Sequence, residues 1–530
     1  MRYWIVAVLL LSLASVGQER ERRQAPPSFE NPPAAAKSGE PESKPPVEKE
    51  AAEEKPVVTH HQITVAGKAL RYTATTGMMP IKNEQTGKVE AHMFYVAYTL
   101  EGATGTRPLT FAFNGGPGSS SVWLHMGAIG PKRVKMLPEG GMPAPPFQIE
   151  DNQGTWLDAT DLVFIDPVGT GYSRAMTPEL GKKFWGLEGD IASVGEFIRM
   201  FLTRNQRWTS PLFLAGESYG TTRAAGLSGY LIDRGIPLNG ITLISSVLNF
   251  QTLSFARGND LAYTAFLPTY TMTAQYHKKL PPDLQNMDSA KLLAESLHWA
   301  ETGYADALQK GDRLTPEERR AAVNQLARYT GLPLAVIDEH NLRIDENTFG
   351  RELLRDQKRV VGRLDSRFTG VGSPQASDRF YDPSEAAIRP PFTTVLNEYV
   401  RSELGYKTDS IYYILGGGIG SQWDFGNFNS RSGFPETADA MRHAFVKNPY
   451  MHVLVAEGWY DMATPILGIE YTLSHMGLDP AMRWNITTAQ YPAGHMVYIQ
   501  VTSLAKLKQD VVTMMNQALK GGGRDLSPAH

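Results

Sequence analysis

Residues 213–220 read Phe-Leu-Ala-Gly-Glu-Ser-Tyr-Gly, and this octapeptide constrains the fold more than any other stretch of the chain. An apolar run of strand length ends in Gly-x-Ser-x-Gly. That is the pattern of a sharp strand-to-helix turn with a serine at its crook, where only glycine fits the flanking positions without a clash. The neighbours agree. Residues 211–215 predict a short buried strand, and residues 221–234 predict a helix in which Ala224, Ala225 and Gly226 suit close packing on a sheet. Two readings of Ser218 follow: a nucleophile held out on the turn, or a serine that caps the helix of an ordinary βα unit.

The rhythm around this turn sets the fold class. Residues 162–165 predict a strand, the stripe Ile191, Val194, Phe197, Ile198, Phe201 and Leu202 a helix, and residues 241–244 another strand. Strands alternating with helices imply an α/β domain with a mostly parallel central sheet covered on both faces. Earlier, residues 63–74 predict a hairpin around Ala66-Gly67, and 91–100 and 109–113 predict further strands. Residues 250–431 break the rhythm with a helical, irregular block, within which Thr315-Pro-Glu-Glu318 is a capping box. The rhythm returns with a helix at 436–446, strands at 451–456 and 484–488, and a last helix at 503–519. The expected organisation is one α/β domain in two parts, 59–249 and 432–520, with 250–431 as a large helical lid insertion and 521–530 as a flexible tail.

The N-terminus predicts export. A basic start, an apolar run at 5–14 too short to span a bilayer, and small residues at 15 and 17 read as a signal peptide over 1–17, cut before Gln18. Residues 18–58, rich in Pro, Glu, Lys and Ala, read as a disordered linker. The expected location is secreted or periplasmic, with no membrane attachment after cleavage. A net charge of −3 gives no reason to expect nucleic acid as a partner. The sequence has no cysteine, which excludes disulfides, thiolate metal sites and a cysteine nucleophile.

A nucleophilic Ser218 needs a base, a group that orients the base, and donors for the developing oxyanion. On this kind of sheet the chain order is Ser, then Asp or Glu, then His. Asp461 lies just past the strand predicted at 451–456, and His495 lies on a Gly-flanked loop past the strand predicted at 484–488. Glu457 is the rival acid, set closer to its strand. His443 falls on a predicted helix, His452 inside a strand, and His475 follows no strand end. One oxyanion donor is the N–H of Tyr219, next after the serine. The other comes from the Gly-rich loop Asn114-Gly-Gly-Pro-Gly-Ser-Ser-Ser121, which is no phosphate-binding Walker loop because no Lys follows its last Gly.

Together, Asn114-Gly-Gly-Pro-Gly-Ser-Ser-Ser121, Asp166-Pro-Val-Gly-Thr-Gly-Tyr-Ser173, Gly216-Glu-Ser-Tyr-Gly220, Asp461 and Gly494-His-Met496 resemble, in order, the five blocks of the serine carboxypeptidase family. The resemblance implies an α/β-hydrolase fold and removal of single residues from free peptide C-termini, usually at acidic pH, with no metal or organic cofactor. It implies Ser218, Asp461 and His495 as catalytic residues, and Gly116 and Tyr219 as the oxyanion hole. It also implies Asn114, Gly115 and Glu217 as the clamp on the substrate carboxylate, and Trp123 and Met496 as walls of the pocket for the leaving residue. A clamp glutamate must be protonated to donate to a carboxylate, and burial favours that form. The sequence departs from the family at three points: Ala128 stands where many members have a second clamp glutamate, and Ser119 and Thr464 stand where they have cysteines. An esterase or acyltransferase on the same three residues is the alternative reading, and a catalytically dead exported binding protein is the non-enzyme one.

Overall fold

The computed structural model describes residues 54–103, 105–372, 381–416, 418–426 and 433–520. The expectations for the leader 1–17, for the linker up to residue 53 and for the tail 521–530 lie outside the described residues. The first strand begins at Val57, two residues inside the expected linker.

The strands among the described residues are β1 (Val57–Val65), β2 (Lys68–Lys82), β3 (Val89–Leu100), β4 (Leu109–Phe113), β5 (Lys132–Val134), β6 (Ile149–Asp151), β7 (Asp161–Ile165), β8 (Arg174–Ala175), β9 (Leu212–Ser218), β10 (Gly240–Ser246), β11 (Arg359–Val361), β12 (Thr369–Val371), β13 (His452–Gly458) and β14 (Ile486–Tyr491). Ten of them form one sheet in the order β1-β2-β3-β7-β4-β9-β10-β13-β14, with β8 paired to β3. The pairs β1–β2, β2–β3, β3–β7 and β3–β8 are antiparallel. From β7 across to β14 every pair is parallel. The expected hairpin turns at Ala66-Gly67, with Val65 opposite Lys68.

A parallel sheet has helices on both faces, so its strands are apolar throughout rather than alternating. Accordingly β4, β7 and β10 are buried at every position. Successive side chains still point to opposite faces. Phe213 and Ala215 of β9 therefore join one apolar cluster, and Leu212 and Leu214 join the other. The helices Pro383–Ser402 and Val501–Leu519 complete the first cluster. The helices Leu187–Arg204, Tyr219–Ile232 and Ala438–Lys447 complete the second. On the last helix Leu504, Leu507, Val511 and Met514 recur at helical spacing and are buried. Burying each such side chain stabilises the fold by about 1.5–3 kcal/mol.

A third cluster lies off the sheet. It draws on the helices Leu261–Tyr276, Ser289–Trp299 and Pro316–Thr330, and it reaches Tyr460, Met462, Ile466 and Leu467 beside Asp461. The capping box opens the last of these helices: Thr315 Oγ1 accepts from the Glu318 N–H, and Glu318 accepts from the Thr315 N–H. The stretch 250–431, expected as one insertion, thus divides by its packing. Its helices up to about residue 354 pack into the third cluster. The helix Pro383–Ser402 instead turns Ile388, Phe392, Leu396 and Tyr399 into the first cluster on the sheet. Four successive turns with an apolar residue on one side give that helix an apolar face, which here packs in the cluster on the sheet.

Candidate active site

Ser218 is the last residue of β9, and the helix Tyr219–Ile232 starts at the next position. Its backbone has φ 59° and ψ −131°, a conformation crowded for any residue with a β-carbon and costing on the order of 1–3 kcal/mol. The two motif glycines make that turn possible. A β-carbon on Gly216 would lie 2.3 Å from the Gly220 carbonyl oxygen, and one on Gly220 would lie 2.8 Å from the Phe113 carbonyl oxygen. The strand therefore folds back so tightly that Ser218 is held out at the C-terminal edge of the sheet.

The Gly-rich loop after β4 lies directly against this turn. A β-carbon on Gly115 would stand 2.4 Å from the backbone nitrogens of both Tyr219 and Gly220. The loop thus borders the amide at the start of the helix, where the helix dipole favours negative charge. Buried charges fix it there. Arg223 pairs with Asp190 at 2.7 Å and donates to the Asn114 carbonyl at 2.7 Å. Asp166 Oδ1 accepts from the Ser121 N–H at 2.8 Å, and the Ser173 hydroxyl ties the Asp166 carbonyl to the Phe94 N–H. Burial pushes the Asp166 carboxyl up to about 7, against the Ser121 N–H and Tyr412, which favour its ionised form. The block 166–173 is therefore a brace for the loop.

His495 and Asp461 meet on loops past β14 and β13. His495 Nδ1 donates to Asp461 Oδ2 at 2.7 Å. Asp461 is fully buried and its other acceptor sites are filled: Oδ1 takes the N–H groups of Ala463 (2.7 Å) and Thr464 (3.0 Å), and Oδ2 takes the Thr464 hydroxyl (2.5 Å). The His495 backbone is pinned from two sides, its N–H to the Leu364 carbonyl at 2.6 Å and its carbonyl to Ser245 Oγ at 2.5 Å. Burial alone lowers the His495 pKa, but the Asp461 charge and hydrogen bond, with the Glu217 charge, outweigh it and the net shift is upward. With Nδ1–H committed to Asp461, Nε2 carries the lone pair that can accept a proton.

The rivals sit elsewhere. Glu457 lies inside β13, and among the described residues neither of its oxygens has a hydrogen-bond partner. Burial, and then the nearby Glu470, push its pKa well above its ordinary value. His443 pairs with Asp233 on the surface, His452 opens β13, and His475 ends an exposed helix turn.

Ser218 and His495 line one cavity of about 200 Å³ with Asn114, Gly115, Gly116, Glu217, Trp123 and Met496. Tyr219, also expected at the site, is buried behind it with only its amide at the turn. Glu217 is buried, and burial raises its pKa to about 7, against the His495 charge and the Tyr498 hydroxyl. Tyr498 donates that hydroxyl to Glu217 Oε2. Asn114 Oδ1 accepts from the Leu124 N–H at 2.9 Å, while Nδ2 points toward Glu217 and Tyr498 and completes a hydrogen bond with neither. Trp123 donates to Ser119 Oγ at 3.1 Å and packs on Phe392.

Three residues at the site escape the sequence reading. Tyr498 supplies Glu217 with a polar partner, its ring packed where a β-carbon on Gly127 would come within 2.7 Å. Arg223 reveals itself only through Asp190, and Arg363 reaches the cavity from the loop between β11 and β12.

Residues 67–297 match the family model for serine carboxypeptidases. The pheromone-processing carboxypeptidase KEX1 of Coprinopsis cinerea is 30% identical over 175 residues, 32% of this chain and 27% of that protein. Serine carboxypeptidase-like 13 of Arabidopsis thaliana is 28% identical over 203 residues, 36% of this chain and 45% of that protein. The chain thus spans less than half the length of these curated relatives. The solved structure of KEX1(Δ)p, a prohormone-processing carboxypeptidase from Saccharomyces cerevisiae, superposes with a TM-score of 0.53 at 17% identity, covering 84% of this chain and 91% of that one. The shared fold is the α/β-hydrolase fold, with its mostly parallel sheet. Its Gly-rich loop and serine turn both lie inside the stretch that matches the serine carboxypeptidase model, and the chain carries no cysteine.

Proposed function

We propose that the chain is a serine-type carboxypeptidase that releases single residues from the free C-terminus of peptides through an acyl-enzyme. The observation that carries this reading is Glu217: a buried carboxyl, neutral up to about pH 7, in the same cavity as Ser218 and His495. An acid beside a nucleophile repels a terminal carboxylate when ionised and donates a hydrogen bond to it when protonated. An esterase has no use for such a group.

Ser218 Oγ attacks the last peptide carbonyl as His495 Nε2 takes its proton. Asp461 holds the imidazolium by charge and hydrogen bond. The N–H groups of Gly116 and Tyr219 receive the oxyanion. His495 then protonates the leaving amino group, the terminal residue departs, and water hydrolyses the ester on Ser218 with His495 again as base. Glu217, Asn114 Nδ2 and the Gly115 N–H hold the terminal carboxylate, and Trp123 and Met496 bound the leaving side chain.

Export belongs to the same proposal. It is supported by the basic and apolar start of the chain. The test is to incubate a blocked peptide bearing a free C-terminus and follow its products by mass spectrometry, with a fluorophosphonate probe on the same preparation. Stepwise loss of terminal residues and labelling at Ser218 are expected. Labelling without any release of residues would overturn the carboxypeptidase reading and leave an esterase.

A further inference from the structure

The cavity holds a cation that no step above uses. Arg363 lies on the loop between β11 and β12 and lines the cavity with Ser218, Glu217 and His495. Its backbone is fixed at both ends: the N–H donates to Asp382 Oδ1 at 3.1 Å, and the carbonyl accepts from the Met462 N–H at 3.1 Å, one residue past Asp461. The side chain is half-buried, and its charge is felt at His495. Among the described residues it forms no ion pair.

Of the carboxylates around it, Glu346 feels the Arg363 charge without pairing to it, and burial raises its pKa. Asp382 accepts from the backbone of Arg363 and Ser384 and from the Ser384 hydroxyl, as the cap of its helix. Glu385 pairs with Arg389 at 3.0 Å. Glu217 is held neutral by burial. A guanidinium that has lost part of its water and forms no contact ion pair among the described residues keeps its donors free for an anion, and its planar fork fits a carboxylate.

We propose that Arg363 is a specificity-determining residue that binds a carboxylate carried by the leaving residue of the substrate. This rests on the carboxypeptidase reading. The carboxylate is either the main-chain terminus or the side chain of a terminal Glu or Asp, and one experiment separates them.

Wild type, Arg363→Met and Arg363→Lys are compared on three blocked peptides that share a sequence and end in Glu, in Gln, or in Gln amide, each followed by release of the last residue. A circular dichroism melt verifies that each variant is folded. In Arg363→Met the preference for an acid over the amide should drop roughly tenfold or more, carried by KM rather than kcat, and Arg363→Lys should restore part of it. An equal drop on the Glu and Gln acids assigns the main-chain carboxylate, and a drop confined to the Glu acid assigns the side chain. A folded Arg363→Met with wild-type ratios across all three peptides overturns the proposal while leaving the carboxypeptidase reading intact. If the wild type itself releases no residue from either acid, both fall together.

Discussion

The two ends of the cavity are finished to different degrees. At the Asp461 end the carboxylate is fully engaged: four hydrogen bonds converge on it, and the imidazole is pinned through its ring and its backbone. At the Glu217 end the groups are present but incomplete. Among the described residues Asn114 Nδ2 completes no hydrogen bond and Arg363, which lines the cavity, forms no ion pair, while burial raises the Glu217 pKa to about 7. Buried polar groups without partners are costly in a folded protein. An end that tolerates them is shaped for groups that the substrate brings, whereas the Asp461 end must be ready before any substrate arrives.

This contrast predicts graded losses. Ser218→Ala removes the nucleophile and should lower kcat by on the order of 10⁶, measured as peptide hydrolysis under saturating substrate. Asp461→Asn breaks the finished end. It leaves the imidazole in the wrong tautomer and should cost about 10⁴ in kcat with KM little changed. Glu217→Gln breaks the open end and should act on the pH profile more than on the maximum rate. In the wild type, kcat/KM for free-acid peptides should fall as pH rises through about 7, because Glu217 ionises there and would repel the substrate. It also falls on the acid side, where His495, its pKa raised by Asp461 and Glu217 over the opposing effect of burial, becomes protonated. The Gln variant keeps the acid limb and loses the alkaline one. Tyr498→Phe is the mildest change. It removes a donor that favours ionised Glu217, so the alkaline limb should move to higher pH while kcat changes by less than about tenfold.

The same contrast explains what the sequence disclosed. Ser218, Asp461 and His495 each follow a strand of the sheet, and strand ends can be read from local apolar runs bounded by glycine. The loop at Asn114 is legible for the same reason. Tyr498 is not, because its partner Glu217 lies 281 positions earlier and no local pattern links a phenol to a carboxyl at that distance. Arg363 hides in a loop between two three-residue strands, where neither helical nor strand periodicity exists to mark a face. The division of the 250–431 stretch is legible in part: the apolar stripe Ile388, Phe392, Leu396 and Tyr399 is plain in sequence, but whether it meets the sheet or the other helices depends on the tertiary fold.

The pH dependence of kcat/KM for one peptide as free acid and as C-terminal amide, from about pH 5 to 9, tests the open end most directly. The account predicts a preference for the acid that is largest below about pH 7 and shrinks above it as Glu217 ionises, with the acid limb common to both substrates. A preference that is absent, or that stays constant across that range, would contradict it.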